Sequence, residues 1–77
     1  MMDRSTRGRA VDRLTPRQRE VLAAIAQGQS NAAIARSLSI TEKAVVQHTS
    51  HIYDELDLPI SEESHRRVLA VLRYLAG

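Results

Sequence analysis

A chain of 77 residues allows one domain and a modest core, so stability should be marginal unless the protein dimerises. The absence of cysteine removes disulfides and zinc–thiolate sites, and no apolar run approaches the roughly 18 residues of a membrane span. The formal charge of +2, with every basic residue but Lys43 an arginine, is weak evidence for a polyanion partner, and two aromatics, Tyr53 and Tyr74, are too few to stack a single nucleic-acid strand.

The segment Met1 to Arg13 carries Arg4, Arg7, Arg9 and Arg13, two aspartates and few apolar residues. It is expected to be a flexible basic arm or linker, the linker favoured, with the folded domain at 14–77. A first helix is predicted at about 16–27. Thr15 is its N-cap, Pro16 takes the position where a missing N–H costs nothing, and Gln18 completes a capping box. Val21, Leu22 and Ile25 form its buried stripe, and Gly28 ends it as a left-handed cap.

Ser30 caps a second helix, 31–38, which buries Ile34, Ala35 and Leu38. Ala32, Ala33 and Ala35 let a neighbouring helix approach closely. Asn31 fits a phosphate contact at a helix start and equally a plain residue beside a cap. The chain breaks at Ser39 and Ile40. Thr41 then caps a longer helix, 42–56, with Glu42 in the first turn, where the helix dipole favours a negative charge. A short helix, a tight turn and a longer helix outline a helix-turn-helix, whose second helix enters the DNA major groove.

The longer helix divides into two faces. Val45, Thr49, Ile52 and Leu56, with Tyr53 at the edge, form a core side. Lys43, Val46, Gln47 and Ser50 fall on or beside the other. Gln can bond adenine, Ser either base type, and Val can touch a thymine methyl. Spacing alone fits an ordinary amphipathic helix with a weakly polar face equally well.

The runs Leu14-Thr15-Pro16-Arg17-Gln18-Arg19-Glu20-Val21-Leu22, Ala26 to Ala35 and Ile40 to His48, followed by Ile52-Tyr53 and Leu56, resemble the LuxR/FixJ/NarL-type DNA-binding domain, in order and without gaps from Leu14 to Leu58. The resemblance implies an all-α fold, a four-helix bundle carrying a helix-turn-helix, and a transcription regulator of the response-regulator type, cytoplasmic, that binds double-stranded DNA. It implies a homodimer through the fourth helix, with RNA polymerase as a further partner, and a structural role for Glu20 in tying the first helix to its neighbours. Val46, Gln47 and Ser50 are the candidate base contacts; Asn31, Thr41, Lys43 and His48 are the candidate phosphate contacts. One departure stands out. The family often carries basic residues after Tyr53, whereas here stand Asp54, Glu55 and Asp57. These acids either weaken DNA binding or face the N-terminal arginines. They also support the competing class, a helical protein-interaction module that keeps the fold but has lost DNA binding.

After Pro59, Ser61 is expected to cap a fourth helix, 62–76, with Glu62 and Glu63 in its first turn. Val68, Leu69, Val71, Leu72 and Leu75 form an apolar arc of roughly 160° on a helical wheel. Packing on the first helix needs part of it; the surplus, with Val68, Leu69, Leu72 and Leu75, is the candidate dimer seam. His48, His51 and His65 are the only histidines, and the first two make a weak metal pair without a thiol or carboxylate. No nucleophile constellation or Gly-rich loop supports an enzyme, and neither a metal nor a cofactor is expected.

Overall fold

The computed structural model describes residues 10–76, so Arg4, Arg7 and Arg9 of the expected basic arm lie outside the described residues, as does Gly77. A single 3-10 turn, Ala10–Arg13, leads into four helices: α1 (Pro16–Ala26), α2 (Asn31–Leu38), α3 (Glu42–Glu55) and α4 (Glu63–Ala76). There is no strand among the described residues. The helix limits agree with the sequence expectation to within one residue. The turn at Ala10–Arg13 falls within the expected arm or linker, and its Val11 packs against the core.

Three of the helix starts are written in side chains. The Thr15 hydroxyl oxygen accepts from the Gln18 N–H at 3.1 Å, and Gln18 Oε1 accepts from the Thr15 N–H at 3.0 Å, closing the capping box. Ser30 Oγ accepts from the Ala33 N–H at 3.1 Å, and Thr41 Oγ1 from the Ala44 N–H at 3.0 Å. At α4 the expectation is corrected. The Glu62 carbonyl accepts the first helical bond, from the Arg66 N–H at 3.0 Å, so Glu62 and not Ser61 holds the cap position.

The first three helices end alike. Gly28, Ser39 and Asp57 all have positive φ, at 86°, 58° and 56°. After each, the next residue's N–H reaches back to the last helical turn: Gln29 to the Ala24 carbonyl at 3.2 Å, Ile40 to Ala35 at 3.0 Å, Leu58 to Tyr53 at 3.1 Å. This is the Schellman closure. It turns Ile40 and Leu58 back towards the core, where Leu58 is buried.

That core joins all four helices. Val21, Leu22 and Ile25 of α1 meet Ile34 and Ala35 of α2, Val45, Ile52 and Tyr53 of α3, and Ala70 of α4. The α1 helix packs on both α3 and α4, and α2 packs on α3. Thr49 is buried among them, and its hydroxyl donates to the Val45 carbonyl at 2.8 Å, so its burial leaves no orphan donor.

One further expectation is corrected. Glu20 is exposed and pairs within its own helix, with Arg17 Nη1 at 3.0 Å, so it does not tie α1 to a neighbour. On α4 the fully buried residue is Ala70, absent from the apolar arc, while Leu69 and Val71 are half-buried and Val68, Leu72 and Leu75 are exposed. The arc therefore straddles the inner and outer sides of the helix. Its inner side is completed by polar contacts that hydropathy does not register.

Candidate nucleic-acid interface

Burial of Val45, Thr49, Ile52 and Tyr53 fixes the rotation of α3 about its axis, and so decides what faces out. Lys43, Gln47 and Ser50 are exposed, and Val46 beside them is 53 % exposed. A methyl pair, an amide, a hydroxyl and an ammonium thus share one surface, which suits base edges framed by phosphates. Asn31, at the start of α2, lines a groove of about 340 Å³ together with Val46, Ser50, Thr49, Tyr53 and Glu63. The structure brings Asn31 to the α3 surface across the helix-turn-helix.

Two expected contacts remain, Thr41 and His48. The Thr41 hydroxyl oxygen already accepts its cap bond, which leaves its O–H as a donor. His48 is half-buried, and at about 100° per residue it lies on the flank away from Val46 and Ser50. One residue of this surface was missed. His51 follows Gln47 by one turn, is exposed, and shares a second groove with Arg13, Thr15, Gln18, Asp54 and Glu55. The same spacing that singles out Gln47 and Ser50 marks it.

The acids at the end of α3 have different fates. Glu55 is paired with Arg13, whose Nε stands 3.4 Å from its carboxylate. Asp57 supplies the left-handed closure after the helix. Asp54 is exposed, one turn beyond Ser50 on the outward face.

Polar bonds hold α4 against this unit, and they too escaped the sequence reading. Tyr53 Oη donates to Glu63 Oε2 at 2.7 Å, while the Arg66 guanidinium lies 4.5 Å above the Tyr53 ring centre. Arg67 donates to Asn31 Oδ1 at 3.1 Å and to the Gln29 carbonyl at 3.0 Å. Arg73 donates to the Leu56 carbonyl at 2.7 Å. Burial pushes the Tyr53 phenol well above its ordinary range, and the bond to Glu63 and that carboxylate's charge add to the shift against the opposing pull of Arg67 and Arg66.

Among the described residues no cluster of three or more His, Cys, Asp or Glu could hold a metal ion, and no helix is long and apolar enough to cross a membrane.

Residues 12–63 match the family model described as bacterial regulatory proteins, luxR family. The nitrate/nitrite response regulator protein NarL of Escherichia coli is 46 % identical over 56 residues, 73 % of this chain and 26 % of that protein. The uncharacterised transcriptional regulatory protein YhcZ of Bacillus subtilis is 38 % identical over 64 residues, 83 % of this chain and 29 % of that one. The putative HTH-type transcriptional regulator Rv0890c of Mycobacterium tuberculosis is 36 % identical over 58 residues, 70 % of this chain and 7 % of its own length. The chain thus spans less than a third of the length of each of these relatives. No solved structure matches it. The match covers more than half of the chain: the chain belongs to the luxR family of bacterial regulatory proteins and is a DNA-binding domain of the helix-turn-helix type.

Proposed function

We propose that this domain reads a specific double-stranded DNA sequence as part of a cytoplasmic transcription factor of the response-regulator type. The α3 helix enters the major groove, Val46, Gln47 and Ser50 touch base edges, and Lys43, Asn31, Thr41 and His48 meet phosphates. The exposed side of α4, with Val68, Leu72 and Leu75, pairs two copies. RNA polymerase is the further partner of the DNA-bound dimer. The observation that carries this reading is the outward face of α3: Lys43, Val46, Gln47 and Ser50 are exposed together on the side opposite a wholly buried stripe. Selection of random duplex DNA on the purified chain, followed by sequencing, tests it. A single enriched motif is expected, and an unenriched pool would reject sequence-specific reading.

Asp54 favours a second reading, a protein-interaction module, because an exposed carboxylate on the same face repels phosphates. Salt separates the two. DNA affinity should fall steeply and linearly on a log–log plot as counterions are released, whereas a largely apolar protein contact should stay nearly level.

A further inference from the structure

Asn31 is held by a side chain from α4. Arg67 Nη1 donates to Asn31 Oδ1 at 3.1 Å, and Arg67 Nη2 to the Gln29 carbonyl oxygen at 3.0 Å, with both side chains half-buried. A guanidinium has only donors, so the end of the Asn31 amide that meets it must be the oxygen. The bond therefore decides the orientation of the amide. Its other end, an NH2 with two donors, makes no bond to any described residue. Asn31 lines the groove that Val46 and Ser50 of α3 also line, so the amide belongs to the surface of α3 that faces out.

We propose that Arg67 is a positioning residue for DNA binding: it fixes the Asn31 amide so that its NH2 donates to a phosphate of the duplex that α3 engages. This rests on the reading that the outward face of α3 meets DNA. An unrestrained Asn would present its oxygen to the phosphate part of the time, and that orientation is repulsive. The clamp removes it before binding and lowers the ordering cost. Arg67 donates one N–H to each of two neutral acceptors, and the role assigned to it here is exerted through Asn31.

The test uses the full chain and a labelled random-sequence duplex at low salt, because phosphate contacts do not depend on sequence. Asn31→Asp keeps an acceptor for Arg67 and gains an ion pair with it, but replaces the donor with a carboxylate. Its melting temperature should equal or exceed the parent's, while its DNA affinity falls about tenfold, the loss of one charge-assisted contact. Arg67→Met keeps the aliphatic stem and removes the clamp. It should weaken DNA by the same factor as Asn31→Ala, and the double variant should be no weaker than either alone. Combined with Lys43→Ala, by contrast, Arg67→Met should lose the product of the two factors. Should Arg67→Met fail to fold, Arg67→Lys replaces it, since one ammonium cannot span both acceptors as the fork does. Parental affinity in Asn31→Asp overturns the proposal, as does a double variant that loses the product of the single losses. If Lys43→Ala is weakened while Asn31→Asp is not, only the role of the clamp falls. If neither is weakened, the assignment of the outward face to DNA falls with it.

Discussion

Arg13 and Glu55, 42 residues apart in the chain, meet twice: Arg13 Nη2 donates to the Glu55 carbonyl oxygen at 3.1 Å and Nε to Glu55 Oε1 at 3.4 Å. The turn before α1 is thereby fastened to the last turn of α3. The arginine supplies a cation where the helix dipole is negative and satisfies a carbonyl left over at the helix end. It also offsets one of the acids that follow the outward face.

Arg13→Ala should lower stability to urea unfolding by about 0.5–1 kcal/mol, modest because both side chains are half exposed and screened by water. Glu55→Gln removes the charge pair but spares the carbonyl bond, so it should cost less. Equal losses would assign the stabilisation to the ion pair alone.

Gln47 projects from the middle of the exposed face of α3. Gln47→Ala should cost about 1–3 kcal/mol on the selected site and relax preference at one base position, without changing the melting temperature. A repeat selection gives the measurement, and an unchanged preference profile would remove Gln47 from the base contacts.

The helix-turn-helix is legible in the sequence because its signals are local. Thr15, Ser30 and Thr41 each make the cap bond that their positions predict. The period of Val45, Thr49, Ile52 and Leu56 fixes the rotation of α3 and with it the outward face. The break at Ser39 is expected, but the left-handed conformation of Ser39 and Asp57 leaves no such mark, since a left-handed serine or aspartate looks like any other, while Gly28 announces itself. Helix α4 was the hardest to read. Periodicity places apolar residues inward, yet this helix docks through Ala70 and through arginines that bond Asn31, Gln29 and Leu56 across long sequence distances. Which arginine finds which carbonyl depends on tertiary geometry, which the order of residues does not state.

Tyr53 makes alkaline stability a test of the α3–α4 contact. Burial, with help from Glu63, raises its proton affinity in the folded state above that in the unfolded chain. Stability is then complete below the ordinary tyrosine value, about 10, and declines as pH rises beyond it. In a Tyr74→Phe background, phenolate absorbance should appear together with loss of helical circular dichroism. Tyr53→Phe should cost about 1–2 kcal/mol at neutral pH through the lost bond to Glu63, but should flatten the alkaline decline. Phenolate forming in a protein that is still fully helical would show that the Tyr53 proton is not held by the fold.

Dimerisation is tested at Leu72. Val68, Leu72 and Leu75 are 56 %, 56 % and 69 % exposed on the side of α4 away from Ala70, whereas Leu69 is half-buried against the core. A charge at Leu69 would therefore disturb folding and pairing together, while Leu72→Glu enters an exposed position and should change stability by no more than about 0.5 kcal/mol. A two-fold pair through this side sets two copies of α3 about 34 Å apart in successive major grooves, so the preferred site should be an inverted repeat. Leu72→Glu should leave half-site affinity at the parental level and abolish cooperative binding to the full repeat. Circular dichroism checks the fold, and titration of half-site against full-site duplex checks the cooperativity. A folded Leu72→Glu protein that still binds the full repeat cooperatively would place the seam on another surface, because a buried carboxylate at the centre of an apolar contact costs far more than a weak dimer can absorb.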